Sequence, residues 1–130
     1  MTARQVIQTD AAPAAVGAYN QAIRAGDLVF TAGQLGSDPA TGDLVGDGIA
    51  EQAEQALANL RAILEAADSG LDRLVKVTVF LADIGDWPAL NEVYGRMIPE
   101  PFPARSAFAV RDLPKGARIE IEAVAMAGAS

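Results

Sequence analysis

Two side chains in the last third of the chain could do chemistry together: Arg105 and Glu120, fifteen positions apart. Arg105 follows Phe102-Pro103-Ala104, a stiff, apolar approach that presents its guanidinium. A planar guanidinium matches a carboxylate with two parallel hydrogen bonds, each worth about 1.5–3 kcal/mol net. Glu120 lies in Arg118-Ile119-Glu120-Ile121-Glu122-Ala123, where strict alternation predicts a strand with Ile119 and Ile121 on one face and both glutamates on the other. A carboxylate set in such a strand can orient water and shuttle a proton, more readily if burial raises its pKa. The chain has no cysteine and no histidine. Thiol nucleophiles, Ser-His-Asp triads and His- or Cys-ligated metals are therefore excluded, and no carboxylate-only metal motif is present.

The elements that must position these groups follow from periodicity. Residues 4–8 suggest a short edge strand. The runs Ala18–Arg24 and Leu28–Gly33 read as a hairpin about the Gly26-Asp27 turn. Residues 37–43 are a loop of turn formers. Ile49 to Ala67 carries apolar residues at spacings of three and four, which predicts a helix capped by Asp47 and stopped by Gly70. Leu74 to Ala82 reads as a strand, with Val75, Val77, Val79 and Leu81 on one side and Leu74, Thr78 and Phe80 on the other. Apolar residues on both sides imply cover on both faces, the second from another subunit. Trp87 to Ile98 reads as a second helix, capped by Asp86, with Asn91 beside Trp87 and Tyr94 at helical spacing. Trp87 and Tyr94 read as core, and Glu122 as a solvated face. Pro99, Pro101 and Pro103 force an extended approach to Arg105. The expected fold is a single α+β domain over residues 1–130, with two layers and a mixed six-stranded sheet carrying two helices on one face.

Composition narrows the partners. Seventeen acidic against ten basic residues give a net charge of −7, which repels phosphate backbones, and aromatic residues are only 5% of the chain. Nucleic acid is therefore not an expected partner. No stretch approaches the ~18 apolar residues of a membrane span, and residues 1–5 lack an apolar signal core, so no membrane association and a cytoplasmic location are expected.

Several motifs resemble the reactive intermediate deaminase family (RidA, also called YjgF). They are Pro103-Ala104-Arg105-Ser106, Ile119-Glu120-Ile121-Glu122-Ala123, Ala12-Pro13-Ala14-Ala15 with Gly17 and Tyr19 beyond, Gly33-Gln34, Pro39-Ala40-Thr41-Gly42 and Val75-Lys76-Val77-Thr78-Val79-Phe80-Leu81. The resemblance covers nearly the whole length. It implies a chorismate-mutase-like fold, a homotrimer with ligand sites between subunits, and cofactor-independent hydrolysis of enamines and imines such as 2-aminoacrylate to 2-oxo acids and ammonia. It implies Arg105 as carboxylate anchor and Glu120 as the group handling water, with Tyr19, Ala32, Gly33, Asn91 and Ala107 lining the cleft.

Three positions depart from the family pattern: Ala32 replaces the usual serine, Ala18 a frequent proline, and Ala107 a frequent cysteine. Loss of one neutral hydrogen bond at Ala32 costs about 1 kcal/mol, a several-fold rate effect. The same loss favours an alternative, a non-catalytic trimer that binds a small carboxylate. The endoribonuclease name also attached to the family fits the acidic charge poorly.

Overall fold

A computed structural model describes residues 3–128. Its elements run β1 (Arg4–Ile7), β2 (Ala22–Ala25), β3 (Leu28–Thr31), β4 (Gln34–Leu35), α1 (Ile49–Glu65), β5 (Leu74–Leu81), α2 (Trp87–Met97), β6 (Ala104–Ala109) and β7 (Ile119–Met126), with short 3-10 turns before β5, before α2 and before β7. The strands form one sheet in the order β1-β2-β3-β7-β5-β6, and β4 also pairs with β7. Every pairing is antiparallel except that of β5 with β6, which closes through the α2 crossover. The expected α+β architecture holds, with one two-residue strand more than the sequence suggested.

The core lies between the helices and one sheet face. On β7, Ile119, Ile121, Ala123 and Ala125 are buried, and their register partners on β5 include Val77, Val79 and Leu81, all fully buried. Against them α1 sets Ala53, Ala56, Leu57, Leu60, Ile63 and Leu64, and α2 sets Leu90 and Val93. Burying a Leu or Ile of this kind stabilises by roughly 1.5–3 kcal/mol. The opposite face is uncovered in the protomer. Phe30 and Phe108 are 44% and 45% exposed there, and Phe108 meets Phe80 edge to face with centroids 5.5 Å apart.

Local details depart from the sequence reading for identifiable reasons. Val75 does not join Val77 and Val79 in the core; a β-bulge between Leu74 and Lys76 leaves it 43% exposed. The run Ala18–Arg24 is extended only from Ala22, because Gln21 ties its neighbourhood into a loop. The Gln21 amide donates to the carbonyls of Thr9 (3.0 Å) and Pro13 (2.8 Å) and accepts from the Thr9 N–H (2.8 Å). Helix α1 is capped at Gly48, not Asp47, and the Glu51 carboxylate accepts from the Gly48 N–H at 2.8 Å. It ends before Gly70: Asp68 takes a left-handed φ of 56°, and the Ser69 N–H bonds the Leu64 carbonyl at 2.8 Å. Asp86 sits at the start of α2 without a side-chain cap; its carboxylate faces Arg118 at 3.4 Å. No helix of the described residues is long and apolar enough to cross a membrane.

Candidate functional site

Helix α2 and edge strand β6 build the first half of the site. Arg105 is paired with Val77 in the β5–β6 register, so its side chain leaves the sheet on the helix-covered side. There it meets the stripe Trp87-Asn91-Tyr94, spaced four and three residues along α2. The guanidinium carbon lies 5.2 Å from the Trp87 ring centroid and 4.7 Å from that of Tyr94. Its Nη1 donates to Asn91 Oδ1 at 2.8 Å. Among the described residues no carboxylate pairs with Arg105. The cation is thus held by two π faces and a neutral amide. It opens on a cleft of about 400 Å³ lined by Asn91, Tyr94, Gly95, Phe102, Pro103 and Arg105. Tyr94 is only 5% exposed and its hydroxyl has no hydrogen-bond partner. Burial raises its pKa and nearby Arg105 only partly opposes this, so it remains a neutral phenol and not a counter-ion.

The second half lies on the other side of the sheet. Glu120 is paired with Phe80, on the uncovered face, and lines a cleft of about 730 Å³ with Tyr19, Gln21, Ala32, Gly33, Thr41 and Lys115 among others. A break between β3 and β4 makes this cleft. Phe30 pairs with Val124 and Gln34 with Ile121, so four steps on one strand match three on β7. The Thr31 hydroxyl accepts the Ala123 N–H at 3.0 Å, while the Ala32 N–H continues the β2–β3 register by donating to the Gln21 carbonyl at 2.8 Å. The Glu120 carboxylate occupies the space over Gly33: a Cβ there would lie 1.9 Å from Glu120 Oε2. Tyr19 rides on the Gln21-stapled loop, 52% exposed, and its hydroxyl accepts from the Val16 N–H at 3.3 Å. The Glu120 pKa is raised, first by burial and then by the neighbouring Glu122 charge.

Of the residues the sequence singled out, the structure gathers Arg105 and Asn91 in one cleft, and Glu120, Tyr19, Ala32 and Gly33 in the other. Within a protomer the two sets are not brought together. Ala107 shares the strand face of Arg105 and packs against the core instead of lining either cleft. Sequence reasoning passed over Gln21, a buried amide inside an apparently strand-like run, and left Trp87 and Tyr94 as plain core. The four- and three-residue spacing around Asn91 was the available signal for those two.

Fold and site define a small α+β protein with an arginine at a sheet edge, free of carboxylate partners among the described residues, and a carboxylate of raised pKa in a separate cleft. The chain belongs to the Endoribonuclease L-PSP family, whose model matches residues 9–127. It is 50% identical over 125 residues to the 2-iminobutanoate/2-iminopropanoate deaminase of Capra hircus, covering 96% of this chain and 91% of that protein. Among solved structures, RidA of the Antarctic bacterium Psychrobacter sp. PAMC 21119 superposes with a TM-score of 0.91 at 49% identity, covering 94% of this chain and 98% of that one. The E. coli TdcF structure with bound serine gives a TM-score of 0.90 at 38% identity, covering 95% of this chain and 99% of that one.

Proposed function

We propose that this chain is a cofactor-independent enamine/imine deaminase, a single-domain cytoplasmic enzyme that works as a homotrimer. Its substrate class is the 2-aminoacrylate type, released as 2-oxo acid and ammonia. The observation that carries the proposal is Arg105, a cation held by Trp87, Tyr94 and Asn91 with no carboxylate beside it among the described residues. The 50% identical imine deaminase and the serine-bound neighbour support a small carboxylate as its partner. The uncovered sheet face with Phe30, Phe80 and Phe108 and the free edge of β6 support assembly. In the trimer, Arg105 of one protomer and Glu120, Tyr19 and Ala32-Gly33 of an adjacent one complete a single cleft.

The reaction then needs little from the protein. Arg105 fixes the substrate carboxylate by a two-pronged bond, which orients the adjacent C=N carbon. A water held by Glu120 adds its oxygen to that carbon while one proton passes through the carboxyl to the imine nitrogen. Collapse of the tetrahedral adduct passes the hydroxyl proton through the same carboxyl to the amine nitrogen, breaks the C–N bond, forms the ketone and releases ammonia. A raised pKa suits Glu120 to both accepting and returning the proton. Nucleic acid is not a partner in this reading, in keeping with the net charge of −7.

Ala32, beside Glu120 in its cleft, favours the second reading, a trimer that binds a small carboxylate without turning it over. One experiment separates them. 2-Aminoacrylate is generated in place by a dehydratase and its decay followed. The proposal expects acceleration by the wild type and its loss in Arg105→Ala. No acceleration by the wild type, together with calorimetric binding of a 2-oxo acid, would establish the binding trimer instead.

A further inference from the structure

Trp87 and Tyr94 lie seven residues apart on α2, so both rings emerge on the same side two turns apart, and Asn91 stands between them. All three touch one guanidinium: 5.2 Å to the Trp87 centroid, 4.7 Å to the Tyr94 centroid and 2.8 Å to Asn91 Oδ1. An arginine side chain has several rotatable bonds, and ordering it costs free energy at the moment a ligand binds unless it is already ordered. A stacked guanidinium also keeps its plane, which a two-pronged bond requires. Asn91 occupies one of the five N–H donors, leaving the rest for an anion. Tyr94 cannot neutralise the cation, because its hydroxyl is a buried, unpartnered phenol.

We propose that Trp87 and Tyr94 are positioning residues that hold the Arg105 guanidinium ready for the substrate carboxylate, and that Trp87 reports its occupancy. This rests on the reading of Arg105 as the carboxylate anchor. The rings act through Arg105 and touch no reacting atom. Removing a ring face leaves the charge in place but lets it wander, so carboxylate affinity and KM suffer while kcat changes little. Each face lost should weaken binding about three- to thirty-fold.

Trp87 is the single tryptophan of the chain, which makes the test direct. The full-length protein is titrated with pyruvate while Trp87 emission is followed, and affinities of all variants are measured by calorimetry. The expected results are a saturable emission change in the wild type that is lost in Arg105→Ala, weaker pyruvate binding in Trp87→Leu and Tyr94→Leu, and recovery of most of that affinity in Trp87→Phe and Tyr94→Phe, which keep a ring face. Raised KM with near-constant kcat for 2-aminoacrylate should accompany the leucine variants. Leucine and phenylalanine variants that bind pyruvate equally well would overturn the positioning role. So would a wild type whose emission does not respond while calorimetry shows binding. Equal pyruvate affinity in wild type and Arg105→Ala would instead overturn the anchor itself. Should Tyr94→Leu fail to fold, the half-buried Trp87 pair decides the question.

Discussion

Gly33→Ala tests the catalytic half of the site without replacing a charged residue. Ordinary contact for a Cβ begins near 3.4 Å, whereas one at Gly33 would stand 1.9 Å from Glu120 Oε2, 2.7 Å from its Cδ and 2.9 Å from its Cγ. The difference, 3.4 − 1.9, asks the nearest carboxylate oxygen to withdraw by about 1.5 Å. Only the end of a flexible side chain obstructs the new methyl, and the Gly33 φ lies outside the left-handed region, so the backbone accepts alanine. Lower freedom in the unfolded chain even contributes about 0.4–1 kcal/mol of stability. Misplacing a reacting group by about 1 Å costs on the order of 10²-fold in rate. The expected outcome is therefore a melting temperature equal to or slightly above wild type, with kcat/KM for 2-aminoacrylate down about a hundredfold. Because the methyl acts through Glu120, it should add little to the loss already caused by Glu120→Gln, a non-additivity read from the double variant. Activity within twofold of wild type would show that the placement of this carboxylate is irrelevant to turnover. A large loss of stability would refute the claim that the side chain alone yields.

Other perturbations follow from the same geometry. Burial and Glu122 raise the Glu120 pKa, so the folded state binds its proton more tightly than the unfolded state. Stability from this group is full below its unfolded pKa and declines as pH rises through the folded value; Glu120→Gln should match wild type in acid and gain on it toward neutrality, checked by melting curves across pH. Gly36→Ala is the opposite of Gly33→Ala. Its Cβ would meet the Gln52 carbonyl oxygen at 2.4 Å and the Gln52 Cα at 2.6 Å, both helix backbone, so α1 must shift, with a loss of about 1–3 kcal/mol in urea unfolding. Ala32→Ser returns a hydroxyl to the cleft of Glu120 and should raise kcat several-fold, corresponding to about 1 kcal/mol, in the coupled dehydratase assay.

Residues whose neighbours are set by their own element were readable in the sequence. Glu120 and Glu122 alternate with Ile119 and Ile121, and the structure keeps that alternation along β7. The Trp87-Asn91-Tyr94 spacing of α2 also survives, and so does the apolar stripe of α1 from Ala53 to Leu64, although Gln52 and Asn59 join its buried face and the helix ends at Glu65, short of Ala67. Readings failed where a side chain replaced a backbone partner. Gln21 satisfies the Thr9 and Pro13 backbone, so a run with strand-like composition becomes a loop. Thr31 takes the ladder bond of Ala123, so the pairing with β7 is interrupted at Ala32 and Gly33 and resumes in the two-residue β4. Such substitutions leave no periodic trace. The division of Arg105 and Glu120 between two clefts was unreadable for another reason. It depends on which face of β5 each one's partner occupies, Val77 for one and Phe80 for the other, and a crossover decides that.

The place of β7 in the sheet has a consequence for how the protein acquires its shape. The strand lies between β3 and β5 and also receives β4, so it joins the β1-β2-β3 meander to the β5-α2-β6 crossover unit. Until it inserts, those two parts share no ladder, and the pairings it completes reach across most of the chain, for example Phe30 with Val124. Contacts of such long sequence separation form slowly and late. The strand that seals the core also carries Glu120, so no partly assembled chain can hold the carboxylate over Gly33. Refolding from denaturant should bury the hydrophobic core with the rate constant of β7 insertion, and deaminase turnover should return no sooner, since protomers must fold before they assemble.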